Sequence, residues 1–320
     1  MKENRTIYLP HEQERVVAFT PTPVEKSVDR KPQSFAHSLE ALQLHADLLK
    51  DSEIWQDRAE VSWNTDKPVQ PILPLADLHL GHRGVAYEAL LQRLEWAKEY
   101  DAKLILLGDL IDGFTPSTIP SGMTDQAPIQ MQLNALKAFL TEYQDRILCN
   151  VSTPHHDGWT YSATGVDIHR LLAEDLNIPL IESGGELKIV INGIAYDLSV
   201  FHKIGQYNSS LNLTNASKRV IDKHSDADFV LSGHLHKSST EVLNIRGKRR
   251  GLCVVGTLKS GDKWGKRQGF IGGVDIDRFP ILLLRTDKKD FEIMDSPDSA
   301  GEFLDGVNLI YRMRSQAMLA

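Results

Sequence analysis

The chain has 320 residues, 41% of them hydrophobic and 25% charged, enough for a proper core; this excludes a disordered tail, a fibre and a disulfide-stapled miniprotein. Two cysteines, Cys149 and Cys253, point to a reducing, cytoplasmic compartment, and no apolar run approaches the length of a transmembrane helix. The net charge is −7 but uneven: Lys203 to Arg267 carries thirteen Lys and Arg against five acids, which suits either an anion-binding surface or a solvated face.

Residues 1–68 read as an N-terminal extension. Its start has charge but no apolar core, so it is not read as a signal peptide. Pro21, Pro23 and Pro32 interrupt a polar stretch, and Ser38 to Lys50 sets Leu39, Leu42, Leu44, Leu48 and Leu49 at roughly helical spacing. From Val69 strands and helices alternate. Pro71 to Ala76 starts a strand, Tyr87 to Tyr100 is a helix, and Lys103 to Leu107 is apolar enough to be a strand buried on both faces. Gly113 to Pro128 is a proline-rich loop. Met131 to Tyr143 is a helix, Arg146 to Val151 a strand and Val166 to Leu176 a helix. Asn192-Gly193 between two strand patterns signals a type I′ hairpin. A helix from Leu213 to Lys223 precedes the strand Asp228–Ser232, and strand-like pieces follow at 241–245, 252–255, 270–274 and 281–284. The domain reading is an extension (1–68), a catalytic domain (69–284) and a C-terminal extension (285–320), with the two extensions as candidate homo-oligomer contacts.

Five short segments, each just after an expected strand, hold nearly every residue suited to metal chemistry. They are Asp77-Leu-His79, Gly108-Asp109, His155-His156-Asp157, His202 and Gly233-His234-Leu-His236. On extended backbone, side chains two residues apart point the same way, so Asp77 with His79, and His234 with His236, can each grip one cation. Singly, each segment is common by chance. Together they hold six of the 12 histidines, at gaps of 30, 46, 45 and 32 residues, the intervals that one helix or hairpin between strands would produce. Loops at the carboxyl ends of strands converge on one crevice in such folds. Mixed imidazole and carboxylate donors favour manganese, with zinc, iron, cobalt or nickel as alternatives. Seven ligands suit two divalent ions about 3.5–4 Å apart.

This order resembles the calcineurin-like metallophosphoesterase superfamily, whose pattern is D-x-H, G-D, G-N-H-[D/E], H and G-H-x-H. The resemblance runs from about Leu75 to Leu258. It implies an α/β fold of two facing mixed β-sheets flanked by helices, with two metal ions at the strand ends. It further implies that Asp77, His79, Asp109 and His236 hold one ion, and that Asp109 bridges to a second held by His202, His234 and the residue at the Asn position. There this chain departs: Pro154-His155-His156-Asp157 stands in place of Gly-Asn-His-Asp. Aligned so, His155 replaces the ligating Asn, with Asn150 as a weaker substitute. His156 becomes the general acid, and Asp157 the acid that orients it. The nucleophile would be a hydroxide bridging the two ions.

The short motifs look like those of DNA-repair exonucleases of the SbcD type and of bacterial UDP-diacylglucosamine pyrophosphohydrolases. Gly165 to Leu176 resembles uncharacterised metallophosphoesterases of bacteria and their phages. Lys203, Lys237, Lys248, Arg249, Arg250, Lys259, Lys263, Lys266 and Arg267 flank the last metal motifs, and Lys203, Lys237, Arg249 and Arg250 are the expected substrate contacts. Trp264 among them is a stacking or a packed tryptophan. The expected activity is hydrolysis of nucleic-acid phosphodiesters, with a phosphorylated small molecule as the alternative substrate and a metal-free scaffold as a third reading. No membrane partner is expected.

Overall fold

The structure is a computed structural model that describes residues 57–115, 125–153, 155–205, 212–223, 225–260 and 276–319, with 39, 40, 42–44 and 47 nearer the N-terminus. The chain divides into two compact units, Met1–Ile54 and Trp55–Ala320. In the first, the described residues are helical, as their spacing predicts, and Leu39, Leu42 and Leu44 are exposed; Leu48 and Leu49 lie outside the described residues.

The second unit has twelve described strands: β1 (Arg58–Trp63), β2 (Val69–Leu75), β3 (Lys103–Leu106), β4 (Ile147–Ser152), β5 (Leu180–Glu182), β6 (Gly185–Ile191), β7 (Ile194–Phe201), β8 (Phe229–Ser232), β9 (Ser239–Ile245), β10 (Lys248–Val254), β11 (Ile281–Arg285) and β12 (Phe291–Met294). Its described helices are α1 (Tyr87–Glu99), α2 (Ile129–Tyr143), α3 (His156–Thr164), α4 (Ile168–Asp175), α5 (Asn215–Lys223) and α6 (Pro297–Leu319). The strands form two six-stranded mixed sheets, ordered β12-β11-β2-β3-β4-β5 and β1-β6-β7-β8-β10-β9. In the first, β2 to β5 are mutually parallel; in the second, β8 runs parallel to both β7 and β10.

The side-chain alternation of β3 shows why its sequence is apolar throughout. Ile105 and Leu107 enter the core between the sheets with Ile72, Cys149 and Val151, against Ile189, Leu198, Phe229 and Leu231 of the other sheet. Leu104 and Leu106 turn to the outer face, where Leu90 and Leu94 of α1, Leu136 and Leu140 of α2, Ala173 of α4 and Leu304 of α6 cover them. Truncating such a residue to Ala would cost about 2–5 kcal/mol. On the other sheet, Ile221 of α5 packs on Val230 and Leu252. The Asn192-Gly193 hairpin forms as expected: Ile191 pairs with Ile194, and both turn residues have positive φ (50° and 81°).

The secondary-structure reading differs at several places. β1 falls inside the stretch read as an extension, because its backbone pairs in parallel with β6. β12 pairs with β11, and α6 buries Ala300 and Leu304 in the outer core, so 285–320 also belongs to the sheet-bearing unit. His156 opens a helix, His156–Thr164, that the sequence reading did not include. The expected strand 270–274, with Lys263, Trp264, Lys266 and Arg267, lies outside the described residues, as do 116–124 of the loop beginning at Gly113.

Candidate metal centre

The five sequence segments meet at one end of the sandwich. β2, β3 and β4 are neighbours running the same way, as are β7 and β8. Asp77 and His79 follow β2, Asp109 follows β3, His155 follows β4, His202 follows β7, and His234 and His236 follow β8. Backbone pairing continues past the strands: Asp77 N donates to Gly108 O and His79 N to Asp109 O, both at 3.0 Å. The chain then reverses at the donor residues themselves. Asp77, His79, Asp109, His234 and His236 all have left-handed φ, between 46° and 70°. L-residues adopt this conformation at a cost, and such strain concentrates at functional sites. Gly108 has φ 85°, and a Cβ there would come within 2.9 Å of Thr153 Cγ2 and 3.1 Å of His202 Nδ1.

Asp77, His79 and His236 bring one donor atom each to within 4.8 Å of one another. Asp109, His155, His202 and His234 do the same, and Asp109 also joins His79 and His156 in a third group. Donor chemistry fits cations. His79 Nε2 faces His236 Nε2 at 3.3 Å, and His236 Nε2 lies 3.2 Å from Asp77 Oδ1. Asp77 Oδ2 accepts from His234 N at 2.8 Å, whereas buried Oδ1 has no hydrogen-bond partner. His202 Nδ1 donates to Leu107 O at 2.8 Å, so its Nε2 carries the lone pair that faces Asp109 Oδ2 at 3.1 Å. Lone pairs this close repel unless a proton or a cation sits among them. Asp112 Oδ1, 3.4 Å from His79 Nδ1, favours the proton on that nitrogen and leaves Nε2 for the group.

Protonation follows the same geometry. Burial holds His155 down at about 4, and burial with the His202 charge holds His234 at about 3, so both are neutral donors. Burial also pulls His202 down, but Asp109 overrides it and raises His202 to about 9. Burial lifts Asp109 to about 6 against the pull of His202. Burial opposes ionisation of Asp77, yet His236 brings it down to about 2.

The neighbours of His156 differ from expectation. Asp157 does not orient it. Asp157 instead accepts from the backbone N–H of Asp109 (2.7 Å), Leu110 (3.0 Å) and Ile111 (3.5 Å), and lies 3.1 Å from buried His169 Nε2. Because His156 opens α3, its successor's side chain points back to the β3 loop, leaving the His156 ring to the Asp112 carbonyl, which its Nδ1 meets. Burial and the Lys259 ammonium hold His156 at about 3. Asp112, His169 and Lys259 are the supporting residues that sequence reasoning left without a role here. Lys259 Nζ, buried, donates to Asp112 Oδ1 at 2.9 Å. Asp112 was visible in Gly108-Asp-Leu-Ile-Asp112, and His169 lies in the Gly165 to Leu176 segment, whose resemblance gave it no role.

The expected substrate contacts divide. Lys203 and Lys237 are exposed just after His202 and His236. Arg249 and Arg250 are corrected. They lie at the start of β10, which runs parallel to β8 and so has this end remote from the ligand loops. Arg250 is 1% exposed and tied to Asp226 and the Ala227 carbonyl. Arg249 pairs with Asp290 and Glu292 and lies over the Phe291 ring. Asn150 is buried within β4.

No protein-family model matches the chain, and no curated protein matches it. Solved structures similar to it include YfcE, a phosphoesterase from E. coli, at 15% identity over 71% of this chain and 100% of that one, TM-score 0.37. Zinc-complexed Vps29 from Entamoeba histolytica is 13% identical over 71% and 99%, TM-score 0.30. A predicted phosphoesterase from Streptococcus pneumoniae is 13% identical over 71% and 98%, TM-score 0.32. At these scores the fold assignment rests on the two sheets themselves.

Proposed function

We propose that the protein is a phosphoesterase dependent on two divalent metal ions. The observation that carries this is a pair of donor groups with no side chain in common, Asp77, His79 and His236 in one and Asp109, His155, His202 and His234 in the other, linked because Asp109 also groups with His79. In this reading Asp77, His79 and His236 with Asp109 hold one ion, and His155, His202 and His234 with Asp109 hold the other. Bound ions would neutralise the phosphate charge and make a water acidic enough to attack near neutral pH. His155, neutral and on the same side as His202 and His234 (ring centroids 5.4 and 4.6 Å away), supports its reading as the substitute for Asn.

The protein's own groups supply the rest. His156 Nδ1 is held by the Asp112 carbonyl, so Nε2 is the atom that handles a proton. It rests unprotonated; an adjacent phosphate anion favours its protonated form, which then donates to the leaving oxygen. Asp157 holds the Asp109 loop in register. The finer substrate reading is a nucleic-acid phosphodiester, supported by exposed Lys203 and Lys237 beside the ligands. Manganese is the ion we would supply first.

Purified protein would be loaded with Mn, its metal counted, and tested on labelled single- and double-stranded DNA, bis-p-nitrophenyl phosphate and p-nitrophenyl phosphate, with Asp109→Asn as blank. Two ions and diester cleavage lost in the blank would support the reading. Monoester turnover with intact DNA would transfer it to small molecules. No metal uptake would leave a scaffold.

A further inference from the structure

Beside the ligands stands a group of aromatic rings that the proposed metal chemistry does not use. Trp159, in the first turn of α3, is half-buried, and its ring centroid lies 4.2 Å from that of His156 and 5.0 Å from that of Phe114. The Phe114 and Trp159 planes are 29° apart, a stacked pair. His156 and Phe114 are themselves only 5.0 Å apart. Were they on opposite faces of the indole, their separation would approach the sum of their spacings to it. They therefore share one side of Trp159, and its other face carries neither.

The group is rigid from behind. Phe114 is 2% exposed, and the Lys259 ammonium sits 5.3 Å from its ring centroid while bound to Asp112. A partly exposed indole held from one side is a preformed platform for a planar partner, because little side-chain freedom remains to be lost. It adjoins the side chain that handles the leaving-group proton. A planar group one sugar away from the reacting phosphorus is a nucleobase. Stacking on tryptophan accepts any base, since every base has a π-face.

We propose that the face of Trp159 turned away from His156 and Phe114 stacks the nucleobase of the nucleotide whose phosphate occupies the metal centre. This rests on the metal-dependent phosphoesterase reading and names its substrate class. The base comes from a nucleotide that is free or at a strand end, because a base inside a duplex is covered on both faces by its neighbours.

The test measures binding, so it needs no turnover. Mn-loaded Asp109→Glu protein, its metal content counted first, is titrated with adenosine 5′-monophosphate and with ribose 5-phosphate, which differ only in the base. If neither this variant nor the wild-type protein takes up Mn, the metal reading fails, and titration of the metal-free wild-type protein then tests the platform alone; if only the variant fails to load, Mn-loaded wild-type protein is titrated instead. The expected result is at least tenfold tighter binding of the nucleotide, with quenching of tryptophan fluorescence. Adding Trp159→Ala should bring the ratio of the two affinities near one, and Trp159→Phe should restore part of it; the ratio cancels any general disturbance of the site. Equal affinities in the parent protein, or a ratio that survives Trp159→Ala, would overturn the proposal. A short single-stranded oligonucleotide that outbinds the mononucleotide assigns the base to a strand end; equal binding assigns it to a free nucleotide.

Discussion

His202 Nε2 stands 3.1 Å from Asp109 Oδ2 while His202 Nδ1 is committed to the Leu107 carbonyl. Without a cation only a proton can reconcile the two acceptors, which is why Asp109 raises His202 to about 9 in spite of burial. The sign is that of a folded-state pKa above the ordinary 6.5. The stability that His202 contributes is fully present below pH 6.5 and is lost as pH rises through about 9. Metal binding at pH 8 should therefore expel about one proton per chain from His202. His155 and His234, already neutral, should add none. Calorimetry in buffers of different ionisation enthalpy measures the release; zero protons would contradict the pairing.

Asp109→Asn removes the carboxylate that, in the proposed reading, the two ions share. Metal content should fall below one ion per chain, and turnover by on the order of 100-fold or more. Retention of two ions would show that Asp109 is not shared.

His155 separates two accounts of the third motif. His155→Ala should leave one tightly held ion, and His155→Asn should retain two, because an amide oxygen can take the position of the imidazole nitrogen. Metal counting after dialysis decides it. Two ions in His155→Ala would remove His155 from the ligand set.

Asp157 and His169 form a buried pair whose partner is the backbone of the β3 loop. Asp157→Ala should lower unfolding stability by about 3–5 kcal/mol, since it strands His169 and three N–H groups. Urea unfolding would show it. A loss of activity without a loss of stability would instead restore the orienting role toward His156.

Arg250→Ala should act on stability alone. It deletes a packed side chain and its bond to the Ala227 carbonyl, at about 2 kcal/mol, with phosphoester turnover unchanged. Weakened substrate binding at unchanged stability would return Arg250 to the site.

The cluster of donor side chains was legible because its information is local. Asp77-x-His79 and His234-x-His236 are two-residue periodicities at strand ends, and the strands show as apolar runs such as Leu104 to Leu107. The face-to-face sheets came from family resemblance rather than from periodicity, which cannot pair strands distant in sequence. What failed was long-range. No local pattern reveals that β1 completes the edge beside β6, that Arg250 points inward to Asp226, or that Asp157 turns toward 109–111. Charge counting treated Lys259 as a surface cation, whereas folding buries it on Asp112.

The left-handed backbone at Asp77, His79, Asp109, His234 and His236 has a consequence for how this site can be lost. Glycine adopts that conformation freely, and replacement there relieves the strain of an L-residue. Each donor is thus kept against a gain in backbone stability, a trade-off at single positions. Ligand-to-glycine variants should fold more stably than the matching alanine variants. An inactive descendant of this chain would have an easy downhill route: drop the donors, keep the turns, and retain the sandwich as a binding scaffold.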